Sequence, residues 1–196
     1  MSKFRPRYSH HVTGGDCCRA TANKNKFVHL ALDRTIQVVN ELKGSQHVND
    51  ALRDGLDIAI LGANDFYSQR AQVEKLNLPR TLDSLNKIPP FVHLGVTIDN
   101  AHKTGMGSSA ALITSLVGCL LIHMGAISAS SITSVDSDEL RLVHNVAQYV
   151  HCFAQGKVGS GFDVSAAIYG SHVYTRFDPK VIQPLMDDTV SVGSTR

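Results

Sequence analysis

The stretch His102-Lys103-Thr104-Gly105-Met106-Gly107-Ser108-Ser109-Ala110-Ala111, continued by apolar residues to about Ala126, decides how this chain is read. Glycines, serines and a lysine stand directly before a long helix-forming segment. The first turn of a helix carries N–H groups without intrahelical partners at the positive end of its dipole, so an anion docks there. Glycines let the backbone approach a phosphate closely, and serine hydroxyls donate to it or ligate a metal. The stretch predicts a phosphate-binding loop leading into a helix.

The bulk composition fits that reading. At 196 residues, 43% hydrophobic and 18% charged, the chain is expected to form one globular domain with its own core. A net charge of +2 offers no electrostatic reason for nucleic acid or an anionic membrane as partner. Ala110 to Ala126 is shorter than the roughly 20 residues a bilayer span needs, and it contains Thr114, Ser115, Gly118 and His123. Cys17, Cys18, Cys119 and Cys152 show neither disulfide nor metal-ligand spacing, which predicts reduced, buried thiols. With no signal-peptide pattern, the expected location is cytoplasmic, with a peroxisomal one open.

Outward from the loop, periodicity assigns the neighbours. Phe91–Asp99 alternates as a strand burying Val92, Leu94, Val96 and Ile98. Leu56–Leu61 and His172–Phe177 also read as strands, and Phe27 to Leu42 as a helix ending before Gly44. Asp65 to Leu76 is a short helix or an ordered excursion. After a Ser/Thr-rich bridge, Asp136 with Glu139 forms a capping-box pattern for a helix that stops at Gly156. One stripe of that helix is Leu140, Val143, Ala147, Val150 and Ala154; another is Leu142, Val146, Tyr149 and Phe153. Two apolar sides predict a helix packed between layers of an α/β sandwich. Residues 1–25 read as a poorly structured arm, 26–180 as the folded domain and 181–196 as an irregular tail.

Spacing separates the kinds of phosphate loop. A Walker loop needs glycine five residues before Gly-Lys and Ser or Thr after it, but around Gly156-Lys157 those places hold His151 and Val158. Gly105-x-Gly107-x-x-Ala110 satisfies the dinucleotide pattern formally. However, Asn100 to Thr104 intervenes after the strand, and the first acidic residue after the loop is Asp136, too far on to take a ribose.

Lys103-Thr104-Gly105-Met106-Gly107-Ser108-Ser109-Ala110-Ala111 resembles the central nucleotide-binding motif of the GHMP kinases. Lys103 is similar to a lysine of the phosphomevalonate kinase branch. His144-Asn145-x-Ala147-Gln148 and the segment from His151-Cys152 through Gln155-Gly156-Lys157-Val158-Gly159-Ser160-Gly161-Phe162-Asp163-Val164 resemble the same branch, particularly its plant and fungal members. So do Tyr169-Gly170-Ser171 and Leu61-Gly62-Ala63-Asn64-Asp65-Phe66-Tyr67-Ser68. The resemblance covers most of residues 24–180. It implies a ribosomal-S5-domain-2-like α/β fold and ATP-dependent phosphorylation of 5-phosphomevalonate, a small phosphorylated substrate, with ATP and Mg²⁺.

It also implies roles. Lys103, Thr104, Gly105, Met106, Gly107, Ser108, Ser109 and Ala110 would bind the nucleotide, with Ser109 helping to ligate Mg²⁺. Lys103 would neutralise charge on the transferring group. Asp163 would accept a proton from the acceptor or orient it, and by position it also reads as a helix cap near Val164. Gly159, Ser160, Gly161 and Lys157 would contact the substrate phosphate. His144 and His151, seven apart on one helical face, read as packing and hydrogen bonding rather than metal ligands. The Pro-Gly-Lys strand motif and the second domain of these kinases are not found, so the expectation is an incomplete N-terminal domain. Its alternatives are an inactive binding fragment or another member such as mevalonate kinase.

Overall fold

Asn25 starts the first helix: its side-chain oxygen accepts from the N–H groups of Phe27 and Val28 at 3.0 and 3.4 Å, satisfying donors that have no partner inside the helix. The computed structural model describes residues 25–92, 95–96 and 100–186. Among them the α-helices are α1 (Lys26–Lys43), α2 (Ser45–Ala51), α3 (Arg70–Lys75), α4 (Leu82–Leu85), α5 (Ser108–His123), α6 (Asp138–Gln155) and α7 (Phe162–Tyr169). Single 3-10 turns lie at Asn64–Phe66, Ser131–Thr133, Pro179–Val181 and Gln183–Met186. Residues 25–56 and 109–186 form one compact unit, and the described residues within 57–108 form a second.

In the first unit α6 is the central element, with α1 and α7 packed on it and α2 on α1. Leu140, Val143, Ala147, Val150 and Ala154 are all buried, as the first stripe requires. In the second stripe Val146 is buried, while Leu142, Tyr149 and Phe153 are partly covered. α5 is apolar around most of its circumference and contributes Ile113, Val117 and Leu121 to the core, beside Leu32, Val39, Met124 and Val164. Each such side chain adds about 1.5–3 kcal/mol of burial. A Cβ added at Gly118 would stand 3.6 Å from Val143 Cγ1, an ordinary van der Waals contact, so space does not require glycine there.

The ends of α6 follow from capping chemistry, shifted by one residue from expectation. Ser137, not Asp136, is the N-cap, and its hydroxyl accepts from Leu140 N–H at 3.0 Å. Glu139 does not close a capping box; its carboxylate accepts from Ser128 N–H at 3.2 Å. At the other end Gly156 takes φ 70°, the left-handed conformation that ends helices, and Lys157 N–H returns to Cys152 O at 3.2 Å. The predicted cap at Asp163 is also corrected. Gly161, at φ 82°, caps α7, and Asp163 lies inside the first turn.

The expected strands are not formed among the described residues. Leu56–Leu61 is irregular, with Ile60 and Leu61 40% and 60% exposed. Phe91, Val92, Gly95 and Val96 make no strand and Val96 is exposed, against the expected buried face, while 93–94 and 97–99 lie outside the described residues. His172–Phe177 is irregular, and Val173 is 97% exposed. The one strand-like pairing among the described residues is an isolated antiparallel bridge between Tyr67 and Lys103. Alternation selects which face of a strand is apolar, but the backbone groups still need a neighbouring strand. The sandwich of the sequence reading is thus replaced, in the described residues, by packed helices. The 1–25 arm falls outside them except for Asn25, as do Cys17 and Cys18. The tail starts as 3-10 turns up to Met186, and 187–196 lie outside. Of the remaining cysteines Cys152 is buried, as expected, but Cys119 is exposed.

Candidate active site

In the second unit the glycine loop is seated on the turn that precedes α3. Ser68 N–H donates to His102 O at 2.8 Å and Thr104 N–H to Phe66 O at 3.1 Å. The Thr104 hydroxyl donates to Asp65 O at 2.7 Å. This holds His102–Thr104 against Asp65–Ser68. Beyond Thr104 the chain needs glycine: Gly105 and Gly107 have φ 84° and 76°, a region that side-chain-bearing residues rarely enter. Lys103, Thr104, Gly105 and Met106 are exposed, and Gly107 and Ser108 are partly covered. Ala110 is 1% exposed, so its side chain belongs to the core.

In the first unit Ser109 and Asp163 converge on one buried imidazole. Ser109 Oγ lies 3.1 Å from His151 Nε2, and Gln155 Nε2 lies 3.1 Å from the same nitrogen. Asp163 Oδ2 stands 3.7 Å from it, beyond hydrogen-bond reach, while Asp163 Oδ1 accepts from Val164 N–H at 3.0 Å. The Asp163 side chain keeps 25% of its exposure and His151 only 4%. Burial pushes the His151 pKa below its ordinary value, with Asp163 opposing, so the ring is neutral and the contact is not an ion pair. One ring nitrogen holds either one proton or one lone pair. Ser109 and Gln155 therefore share a single hydrogen-bonding position, with the Asp163 carboxylate beside it. A hydrolytic triad instead places serine and carboxylate on opposite ring nitrogens.

Gly159, Ser160 and Gly161 lead into α7, with Ser160 exposed and Gly161 buried. A Cβ on Gly161 would fall 2.6 Å from Gln148 Oε1, 2.7 Å from Phe177 Cε1 and 2.8 Å from Tyr174 OH. The Tyr174 hydroxyl donates to Ser160 O at 2.6 Å, fixing the loop. Lys157 is exposed just past the end of α6. His144 lies against Tyr169, ring centroids 5.3 Å apart, and has no part in the cluster. The expectation that His151 serves packing and hydrogen bonding agrees with this arrangement, but the sequence did not name Ser109 as its partner. The His151-x-x-x-Gln155 spacing, which puts both on one helical face, was the available signal.

Among the described residues no group of three or more His, Cys, Asp or Glu suits a metal ion. Magnesium uses few protein oxygens and completes its shell with phosphates and water. The Ser109 hydroxyl and Asp163 carboxylate, gathered at one imidazole, fit that requirement.

The family model described as GHMP kinases N terminal domain matches residues 77–171, which include the loop, Ser109, His151 and Asp163. The peroxisomal phosphomevalonate kinase of Arabidopsis thaliana is 40% identical over 177 residues, 83% of this chain. The chain is homologous to the phosphomevalonate kinases. That of Aspergillus fumigatus is 39% identical over 168 residues, 84% of this chain, and that of Gibberella zeae 36% identical over 194 residues, 94% of it. The aligned regions cover 35%, 30% and 40% of these three phosphomevalonate kinases, so the chain spans about a third of their length. No solved structure is a significant match. Among the described residues no helix is long and apolar enough to cross a membrane.

Proposed function

We propose that the chain serves ATP-dependent phosphoryl transfer to 5-phosphomevalonate, giving 5-diphosphomevalonate and ADP. One observation carries the reading: the serine and the aspartate that the resemblance assigns to metal and acceptor meet at the buried His151. Homology to phosphomevalonate kinases supports the choice of substrate.

In this reaction an acceptor phosphate oxygen bonds to the γ-phosphorus while the bond from that phosphorus to the β–γ bridging oxygen breaks. A phosphate monoester has a second pKa of about 6, so the acceptor is already deprotonated near neutral pH. Catalysis is then mainly positioning and charge neutralisation. Backbone N–H groups of Gly105 to Ser109 hold the nucleotide phosphates, and Lys103 offsets charge on the transferring group. Gly159, Ser160 and Gly161 close on the acceptor. Asp163, fixed by Val164 N–H, orients the site rather than acting as a strong base. Magnesium, bound through oxygens of Ser109 and Asp163, would supply charge neutralisation to the nucleotide phosphates.

A coupled assay of ADP formation with 5-phosphomevalonate tests this. Turnover that requires the substrate and disappears in Asp163→Ala is expected. Its absence at high protein concentration sinks the catalytic claim, and turnover of mevalonate instead moves the chain to another branch.

A further inference from the structure

The chain that follows α7 turns back along it and reaches the loop in front of the helix. Ser165 in α7 is 3% exposed, and its hydroxyl lies 2.7 Å from His172 Nε2. His172 Nδ1 lies 2.7 Å from Gly170 O. A carbonyl only accepts, so Nδ1 donates, and in the neutral ring Nε2 accepts from Ser165. With both nitrogens engaged the ring is fixed, and Tyr174 meets it edge-on, centroids 6.1 Å apart at 87°. Val173, between them, is 97% exposed. The alternation of this run thus survives without a sheet, with His172 and Tyr174 turned toward α7 and its leading loop and Val173 turned away. The Tyr174 hydroxyl ends on Ser160 O at 2.6 Å. Among the described residues no other hydrogen bond ties Gly159 or Ser160 to a distant segment, and Gly161, the N-cap of α7, has no side chain to hold the start of the helix.

We propose that 172–177 is a strap that sets the conformation of Gly159–Gly161 for its phosphate ligand, with Tyr174 as the positioning residue and His172 and Ser165 acting through it. This deepens the kinase reading and rests on its assignment of the loop to the acceptor. Two glycines in three residues give the loop many accessible conformations. A loop ordered in advance spares the ligand that ordering on binding. The Tyr174 hydroxyl therefore acts on the affinity for the acceptor and not on that for ATP.

Kinetics of ADP formation and amide hydrogen exchange, both on the full chain, test the strap. Tyr174→Phe keeps the ring and removes the hydroxyl. In it KM for 5-phosphomevalonate rises about 3-fold or more, while kcat and KM for ATP stay within about 2-fold. Without ligand, amides at 157–163 exchange about 3-fold faster or more, and those of α1 are unchanged. His172→Phe raises the same KM, and His172→Gln, which can still accept from Ser165, raises it less. Val173→Ala, on the same segment, changes none of these readings. An acceptor KM unchanged in Tyr174→Phe, an equal rise in both KM values, or unchanged exchange at 157–163 overturns the inference. The kinase reading fails separately: no turnover in the unmodified chain defeats it, while faster exchange at 157–163 in Tyr174→Phe still upholds the strap.

Discussion

Ser109 Oγ and His151 Nε2 lie 3.1 Å apart across 42 residues of sequence, joining the first turn of α5 to the last turns of α6. Burial keeps the imidazole neutral, so it meets both Ser109 and the Asp163 carboxylate as a polar hub rather than as a charge. The residue that organises the site is therefore one to which the family resemblance gave no role.

His151→Ala removes this hub, leaves the Ser109 hydroxyl without its partner and opens a void in the core. The expected cost is about 2–4 kcal/mol of stability, read as a lower urea midpoint. ADP formation should show a fall in kcat larger than any rise in KM. His151→Asn, which restores a polar group, should recover part of kcat, and equal loss in both variants counts against the positioning role.

Gly161→Ala introduces a Cβ within 2.6–2.8 Å of Gln148, Phe177 and Tyr174 at φ 82°. Strain and overlap together should cost about 2 kcal/mol or more. Gly159→Ala is the control, because the nearest atom to its Cβ is Gln155 Oε1 at 3.8 Å. Its stability should stay within about 1 kcal/mol of the unmodified chain.

His144 supplies a pH dependence. Burial lowers its pKa from 6.5, with the nearby His172 adding to the effect and a hydrogen bond with Asn145 opposing it. The unfolded chain therefore binds the proton more readily than the folded one, and stability rises with pH in this window. Stability is complete above about 6.5 and declines as pH falls through the lower folded value. Urea melts between about pH 5 and 8 should show this slope, and His144→Phe should reduce it, leaving the share of His151, whose pKa burial also lowers.

Asp163→Asn keeps an oxygen for the Val164 N–H, so the fold should persist with a stability change within about 1 kcal/mol. Loss of the charge should lower ADP formation by about 100-fold or more. An activity near that of the unmodified chain would remove Asp163 from the proposed mechanism.

Lys103→Met separates charge from structure. Lys103 stands opposite Tyr67 in a bridge whose hydrogen bonds are made by its neighbours His102 and Thr104, and its side chain is exposed. Stability should change by no more than about 0.5 kcal/mol, while the affinity for ATP, measured by calorimetry, falls.

The sequence by itself determined what depends on near neighbours. α1 at Lys26–Lys43, the end of α6 at Gly156 and the positive-φ glycines of the loop all follow from patterns within a few turns. Helical hydrogen bonds close within the segment, so periodicity and caps suffice, and a choice such as Ser137 over Asp136 differs by one residue. Tertiary structure alone decided what requires a distant partner. The alternating runs at Leu56–Leu61 and His172–Phe177 have no strand beside them among the described residues and are irregular. His144 and His151 look equivalent by spacing, yet one rests on Tyr169 while the other collects Ser109, Gln155 and Asp163 from three helices. Sheet pairing and side-chain convergence both join segments far apart in the chain, and local sequence specifies which groups need a partner but not which segment arrives to provide it.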